Sequence, residues 1–257
     1  MDLLGTFSAS EPELTLTELS ARVNLSASTT YRLLVTLESR GYVENKRKTG
    51  GYRLGVTCVD LATVFLSQLD LRERVLPLLE ALREEYRETV HLAILDRNQM
   101  EMIYLEKLEG LQPIGMMGSR VGGRAPAHCT GLGKCMLAYL PEVTVHGFYA
   151  AHGLRAHTSN TITDVEELLQ ELVSVRQRGY AIDDVEHELD VKCIAAPVWN
   201  HEDAVVGAIS VSGPEQRMNR LIANDDLVDR VKKTASEASM RLGYARRGDT
   251  GEVAEPL

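Results

Sequence analysis

The apolar positions near the start of the chain follow a helical repeat. Residues 15–18, Thr-Leu-Thr-Glu, have the form of a capping box, in which a Thr and a Glu three residues later satisfy the free N–H groups of a helix start. Leu16, Leu19 and Val23 would then share one face of this helix. Asn24 can adopt the left-handed conformation that ends a helix. The pattern predicts a short first helix here.

A second helix and a strand hairpin are predicted next. Ser26 can cap the helix and Gly41 can end it. The predicted buried face of this helix consists of Tyr31, Leu33, Leu34 and Leu37. Residues 42–45 and 52–54 have strand character, and a glycine-bearing turn joins them. Two helices followed by a hairpin form a winged helix-turn-helix domain, predicted over 1–56, and the apolar residues near the start predict a truncated first helix before it.

The remaining pattern predicts a linker and a larger mixed domain. Residues 56–88 have helical periodicity, and we place a helical linker at 57–70. Pro77 is compatible with a straight helix only near a first turn and otherwise kinks it. From residue 89 to 246, strands and helices alternate, with a predicted hairpin (90–95 and 102–105), helices at 130–140, 164–178 and 226–246, and strands at 180–182, 193–199 and 204–212. We expect an α+β chain whose second domain spans 71–246 and whose tail, 247–257, is disordered.

Composition excludes several classes of protein. The chain has 257 residues, of which 44% are apolar and 25% charged, so it is not disordered throughout, collagenous or a coiled-coil rod. No apolar stretch approaches the ~20 residues of a membrane span, and no basic region precedes an apolar core at the start. The four cysteines form no CxxC pair. We therefore expect reduced thiols in a cytoplasmic protein that contacts no membrane.

Charge is unevenly distributed along the chain. The net charge is −9, yet residues 22–53 carry seven Lys and Arg against two Glu. A basic island in an acidic protein indicates a local footprint for a polyanion, although a solvated basic surface is the simpler alternative on charge alone.

These residues together resemble the IclR family of bacterial transcription regulators. The N-terminal motifs are LTEL at 16–19, STTYRLL at 28–34, GYV at 41–43 and YRLG at 52–55. The C-terminal motifs are AHCTGLGK at 127–134, DDVEHE at 183–188, CIAAP at 193–197 and AISVSGP at 208–214. The resemblance implies a GAF-like effector-binding domain behind the DNA-binding domain, and a homodimer or homotetramer.

The predicted DNA-contacting residues lie on the second helix and at the hairpin tip. Recognition helices present their N-terminal residues to base edges in the major groove, and a wing tip lies over the backbone or in the minor groove. The predicted set is Ser26, Ser28, Thr29, Thr30, Arg32, Lys46, Arg47 and Lys48. Ser26 has the alternative of acting only as a helix cap, and Arg32 that of a surface ion pair. The expected target is a near-palindromic double-stranded operator.

The resemblance also implies a set of effector contacts in the second domain. They are Gly131, Leu132, Asp183, Cys193, Ser210 and Ser212, and Met116 would add an adaptable apolar wall. Unpaired N–H groups at a helix start bind carboxylates, and two serines two positions apart on a strand face one side. We therefore expect a small organic acid as effector. Each side chain has an ordinary structural alternative as core, strand or turn residue.

Two other functions use the same residues. A metal-responsive regulator would take its ligands from His128, Cys129, Glu186, His187 and Cys193, although their spacing matches no compact zinc motif. An enzyme would use Cys193 as nucleophile with His128 or His187 as base. The segment at 131–134 is not a phosphate-binding loop, because Cys135 stands where Ser or Thr belongs. We expect no enzyme activity, no cofactor and no metal.

Overall fold

The chain folds into two compact units, Met1–Asp70 and Leu71–Leu257. The computed structural model describes residues 2–8, 11–46, 50–61, 70–111, 118–224 and 226–245. Of the predicted linker, residues 57–61 are helical, and the next described residue, 70, begins a long helix. The predicted tail and the wing-tip residues Arg47 and Lys48 lie outside the described residues, as does Met116.

The N-terminal unit has the predicted winged helix-turn-helix arrangement. Its elements are α1 (Asp2–Gly5), β1 (Glu13–Thr15), α2 (Leu16–Arg22), α3 (Ala27–Ser39), β2 (Val43–Lys46) and β3 (Gly51–Leu54). The antiparallel sheet has the order β1-β3-β2, so the hairpin of the wing is confirmed and β1 adds a strand to it. Sequence reasoning missed β1, because three residues are too few to show an alternating pattern.

Both helix starts of this unit are capped as predicted. The Thr15 side chain accepts a hydrogen bond from the Glu18 N–H, and the Glu18 carboxylate accepts one from the Thr15 N–H at 2.8 Å. Ser26 Oγ accepts from the Thr29 N–H at 3.2 Å. These local bonds fix where α2 and α3 begin, and so fix which residues stand at the start of α3.

The buried face of α3 differs from the predicted one. Thr30 and Leu34 are buried, with Leu37 packed against the core beside them. Tyr31 and Leu33 are 52% and 43% exposed, so their assignment to the core was wrong. The core takes the stripe at positions i, i+4 and i+7, and the residues on either side of that stripe face solvent.

The C-terminal unit is an α+β domain built on one six-stranded antiparallel sheet. Its order is β6-β5-β4-β9-β8-β7. The helices are α4 (Asp70–Tyr86), α5 (Gly131–Leu137), α6 (Glu142–His152), α7 (Val165–Arg178), α8 (Glu215–Ala223) and α9 (Asp226–Arg241). The strands are β4 (Thr89–Asp96), β5 (Glu101–Leu108), β6 (Arg124–Pro126), β7 (Ala181–Asp184), β8 (Val191–Trp199) and β9 (Val205–Pro214).

The main elements of this unit were predicted, and the short ones were missed. The β4–β5 hairpin is confirmed, and α9 ends at Arg241 rather than at 246. Helices α6 and α8 and strand β6 were not predicted. Pro77 lies inside α4 and not in a first turn. The helix continues through it, without the one N–H that proline cannot donate.

Packing places α5 directly against the sheet. Cys135 of α5 donates from Sγ to the Ala195 carbonyl of β8 at 3.1 Å, and Leu132, Cys135 and Ala195 belong to one buried cluster. Gly133 permits α5 to lie close to the segment that follows β6, because a Cβ there would lie 2.1 Å from the Ala127 carbonyl oxygen. None of the helices in the described ranges combines the length and hydropathy that a bilayer span requires.

Candidate DNA interface and ligand pocket

The outer surface of α3 carries most of the predicted DNA-contacting residues. Ser28, Thr29 and Arg32 are exposed, next to the exposed Tyr31. Ser26 is exposed as well, but its hydroxyl is engaged by the Thr29 N–H and lies 2.9 Å from Thr29 Oγ1. The start of α3 therefore presents hydroxyls, a guanidinium and an aromatic ring to solvent.

The structure does not place Thr30 on this surface. Its side chain is fully buried, and its hydroxyl has no hydrogen-bond partner among the described residues. Thr30 is therefore withdrawn from the predicted set. Tyr31, which sequence reasoning had placed in the core, takes an exposed position instead.

The basic island is partly neutralised within the N-terminal unit itself. Arg22 pairs with Glu11 at 2.7 Å and Arg53 with Glu44 at 2.5 Å. Arg32 forms no ion pair within the described part of the chain, so the alternative role predicted for it finds no partner there. Its charge is available to a polyanion.

The register of the sheet in the C-terminal unit brings distant residues into one row. Asp183 of β7 stands opposite Cys193 of β8, and Cys193 stands opposite Ser212 of β9. Side chains directly opposite one another on neighbouring strands point to the same face of a sheet. A second row, two positions along, runs from Ala195 through Ser210 to His91. The two rows form the floor of a pocket.

This pocket contains most of the predicted effector-binding residues. Leu132, Asp183, Cys193, Ser210 and Ser212 all line it. Gly131 packs against Cys193, since a Cβ on it would meet the thiol sulfur at 2.8 Å. The residues that sequence reasoning missed are His91, Tyr104, Ser119, Thr130, His187, Glu188 and Val191.

His91 is the main missed residue. It is buried, its Nε2 lies 2.9 Å from Ser119 Oγ and its Nδ1 lies 3.4 Å from Ser210 Oγ. Its ring also packs at 5.1 Å from that of Tyr104. A single histidine in the apolar run of β4 carried no signal by itself. Only the pairing of β4 with β9 shows that it faces the pocket.

Burial shifts the charge states of two ionisable side chains in the pocket. Burial, with a smaller effect from Lys107, lowers the pKa of His91 to about 3, so its imidazole is uncharged. Burial raises the pKa of Asp183 to about 7, although the Glu186 N–H donates to its carboxylate at 2.7 Å. Among the described lining residues there is no Lys or Arg. The described lining therefore offers a ligand hydrogen-bonding groups and no cation.

The Cys193 thiol is not activated as a nucleophile. Burial raises its pKa above the usual value, and the N–H groups of Gly131 and Asp183 and the Ser212 hydroxyl only partly oppose this. The thiolate is the reactive form of cysteine, so a buried thiol of raised pKa is inert.

A buried ion pair stabilises the loop that carries Asp183 into the pocket. Lys134 of α5 is 2% exposed on its side chain, and its Nζ contacts Glu186 Oε1 directly and Glu171 Oε1 at 3.4 Å. Glu186 follows β7, and its N–H is the donor to Asp183. The hydroxyl of Thr161 donates to the Glu186 carbonyl at 2.6 Å. The lysine thus anchors the loop that holds Asp183 in the pocket.

The residues of the metal alternative are divided between different environments. Glu186 is engaged by Lys134, and Cys193 lies in the pocket. His128 and Cys129 lie together, and the structure adds His157 to them, which sequence reasoning did not include.

A winged helix-turn-helix unit followed by a unit with a polar internal pocket defines the class of ligand-responsive DNA-binding regulators. Residues 1–47 match the IclR helix-turn-helix domain, and residues 63–240 match the C-terminal domain of bacterial IclR transcriptional regulators. The chain belongs to the IclR family. It is a transcription regulator with a helix-turn-helix and an effector domain, and not an enzyme.

Relatives and solved structures match nearly the whole chain. The transcriptional regulator XynR of Escherichia coli is 34% identical, with 95% of each chain covered. The transcriptional repressor IclR of the same organism is also 34% identical, over 96% of this chain and 89% of its own. An IclR homologue from Microbacterium hydrocarbonoxydans, solved with 4-hydroxybenzoate, is 28% identical with a TM-score of 0.79, covering 94% of this chain and 96% of its own.

We expect Lys134→Met to destabilise the C-terminal unit by about 3–5 kcal/mol, because it leaves the Glu186 carboxylate buried without its cation. Urea denaturation followed by circular dichroism measures this free energy of unfolding. The matched control is Lys192→Met, which removes a pair with the exposed Asp184, 2.6 Å away, and should cost about 0–1 kcal/mol. Equal effects of the two substitutions would contradict the anchoring role of Lys134.

Proposed function

We propose that the protein binds a near-palindromic operator as a homodimer or homotetramer and that a small carboxylic acid in the C-terminal pocket changes its affinity for DNA. The observation that carries this proposal is the pocket floor of Asp183, Cys193, Ser210, Ser212 and His91 under the start of α5. We also propose a cytoplasmic location, which the expected binding to operator DNA supports.

Donors around the pocket favour a carboxylate. The N–H group of Leu132 is in the first turn of α5, where a helix leaves it without an internal acceptor, while the N–H group of Gly131 faces the Cys193 thiol. The hydroxyls of Ser210 and Ser212 add donors from the floor. One family member was solved with 4-hydroxybenzoate, which is an aromatic carboxylate. This supports a small carboxylic acid as the ligand of this pocket.

Asp183 and His91 are suited to a second polar group on the ligand. A carboxyl whose pKa is near 7 donates a hydrogen bond when protonated and accepts one when ionised. His91, uncharged, has one donor and one acceptor nitrogen, which face the Ser119 and Ser210 hydroxyls, so a ligand group would take the place of one of these contacts. A hydroxy or keto acid would use both ends of the pocket.

On the DNA side, we propose that Ser28, Thr29 and Arg32 of α3 enter the major groove. Their exposure and their position in the first turns of α3 support this. We propose that Lys46, Arg47 and Lys48 contact the backbone from the wing. Symmetry of a dimer would place half-sites about 10 base pairs or a multiple apart. A repressing role is supported by the name of the E. coli relative.

DNA binding should depend steeply on salt. With six to ten phosphate contacts, affinity for an operator selected from a random duplex library should fall about 10³–10⁵-fold between ~50 and ~200 mM salt. Arg32→Ala should weaken binding by about 1–3 kcal/mol in fluorescence anisotropy. The control is Arg97→Ala, which removes an exposed arginine from the turn between β4 and β5. A titration that is flat with salt would refute the proposed interface.

The pocket serines should determine effector sensitivity and not basal DNA binding. A thermal-shift screen of small carboxylic acids identifies a stabilising ligand by mass action. For that ligand, Ser210→Ala with Ser212→Ala should lose about 1.5–3 kcal/mol of binding per hydrogen bond to a charged group. Calorimetry measures this loss, and Ser236→Ala on the exposed face of α9 is the control. An unchanged response of the double variant to its effector would contradict the proposal.

Effector binding should weaken as pH rises through the pKa of Asp183. A bound carboxylate favours the protonated Asp183, so binding takes up a proton when the free carboxyl is ionised. Above about pH 7, the affinity should fall by up to tenfold per pH unit. Asp183→Asn should bind with little pH dependence in calorimetry between about pH 6 and 8. The same dependence in the variant would assign the proton to another group.

A further inference from the structure

Two histidines and a cysteine come together next to the ligand pocket. His128 and Cys129 lie just before α5, and His157 lies in the segment that joins α6 to α7. One candidate ligand atom from each residue, two ring nitrogens and one sulfur, lies within 4.8 Å of the other two. The three residues, which we name the HCH cluster, have no role in the regulator described above.

The hydrogen bonding of His128 sets which nitrogen is free. Its Nε2 lies 3.0 Å from the Arg155 carbonyl oxygen, which can only accept, so Nε2 carries the proton. Nδ1 then carries the lone pair. A histidine that binds a metal usually donates its other ring N–H to a carbonyl or carboxylate in this way. His128 is thus held in the tautomer that a metal ligand needs.

Cys129 provides a sulfur ligand, and His157 lies where solvent reaches the cluster. Cys129 is fully buried, and a thiol in this position offers the soft ligand that zinc and related ions prefer. His157 is exposed, with its ring 6.0 Å from that of His128. Metal ions can reach the cluster from the same side.

We propose that the HCH cluster binds a zinc-class divalent ion through the two imidazoles and the Cys129 thiolate. Zinc takes two nitrogens at about 2.0–2.1 Å and a sulfur at about 2.3 Å in tetrahedral sites, and a water completes the fourth position when the protein supplies three ligands. This site is separate from the effector pocket, whose thiol is Cys193 and whose lining contains none of the three residues. It adds a metal to the regulator and does not replace the organic effector.

The metal site has a structural connection to the pocket. The residue after Cys129 is Thr130, which caps α5 through its hydroxyl and lines the pocket. On the other side, the His157 ring lies 5.4 Å from that of His187, another pocket residue. An ion held by the cluster would therefore restrain both walls of the pocket entrance.

The test uses Co²⁺ as a spectroscopic probe of the full-length protein. Titration of the reduced protein should give one equivalent of tetrahedral Co²⁺ per chain, with visible bands and a thiolate charge-transfer band in the near ultraviolet. Zn²⁺ should displace it. Cys129→Ser should abolish the charge-transfer band, and His157→Phe should weaken Co²⁺ binding by about 100-fold or more. Cys58→Ser and His152→Phe, a thiol and an exposed histidine elsewhere, should behave as the parent.

Each outcome decides the proposal. His157 is exposed, so His157→Phe remains informative even if Cys129→Ser does not fold, which circular dichroism would show. Absence of a thiolate band in the parent, or a band retained in Cys129→Ser, overturns the site. A band lost in Cys193→Ser but kept in Cys129→Ser also overturns it, because the metal would then occupy the effector pocket.

Discussion

The pocket depends on the register in which four antiparallel strands, β4, β9, β8 and β7, pair with one another. Asp183, Cys193 and Ser212 form one row only because β7, β8 and β9 pair in this register. A slip of one residue in β9 would turn Ser210 and Ser212 to the opposite face and bring Ile209 and Val211 into the pocket. The alternation of these residues along β9 therefore serves folding and ligand binding at the same time. All four residues of that alternation are buried.

The pocket also depends on a buried cation, Lys134, next to the loop that follows β7. Val185 has a positive φ of 58°, an uncommon conformation for a β-branched residue, and it stands between Asp183 and Glu186. The Lys134–Glu186 pair and the Thr158 hydroxyl, which donates to the Val185 carbonyl at 2.6 Å, hold this loop. Buried ion pairs are weak sources of stability but effective in fixing one conformation. Here that conformation places the Asp183 carboxyl in the lining of the pocket.

Local signals determined which parts of this architecture were predictable. Capping at Thr15 and Ser26 depends on neighbours in sequence, so the helices of the N-terminal unit could be predicted from the chain alone. The family motifs led to Leu132, Asp183, Cys193, Ser210 and Ser212, which the structure brings together. His91 could not be found, because its position in the pocket follows from the pairing of β4 with β9, which joins His91 to Ser210 across 119 residues of chain. The prediction placed Tyr31 in the core and Thr30 on the surface, whereas the structure has Thr30 buried and Tyr31 exposed. The sequence pattern of α3 leaves the direction of its buried face uncertain by one residue, so these two neighbours could not be told apart.

The groups that line the pocket determine how it could distinguish one effector from another. Without a lysine or arginine in its described lining, the pocket cannot hold every acid by charge alone. For the proposed acid effector, affinity would come from hydrogen bonds to the carboxylate and to a second polar group, each of which requires a matching position on the ligand. Sites of this kind discriminate strongly against analogues that lack the matching group, because their buried donors and acceptors are then left unpaired. A lining of this kind would select the proposed acid by shape and by hydrogen bonding, since it has no cation to attract every carboxylate alike.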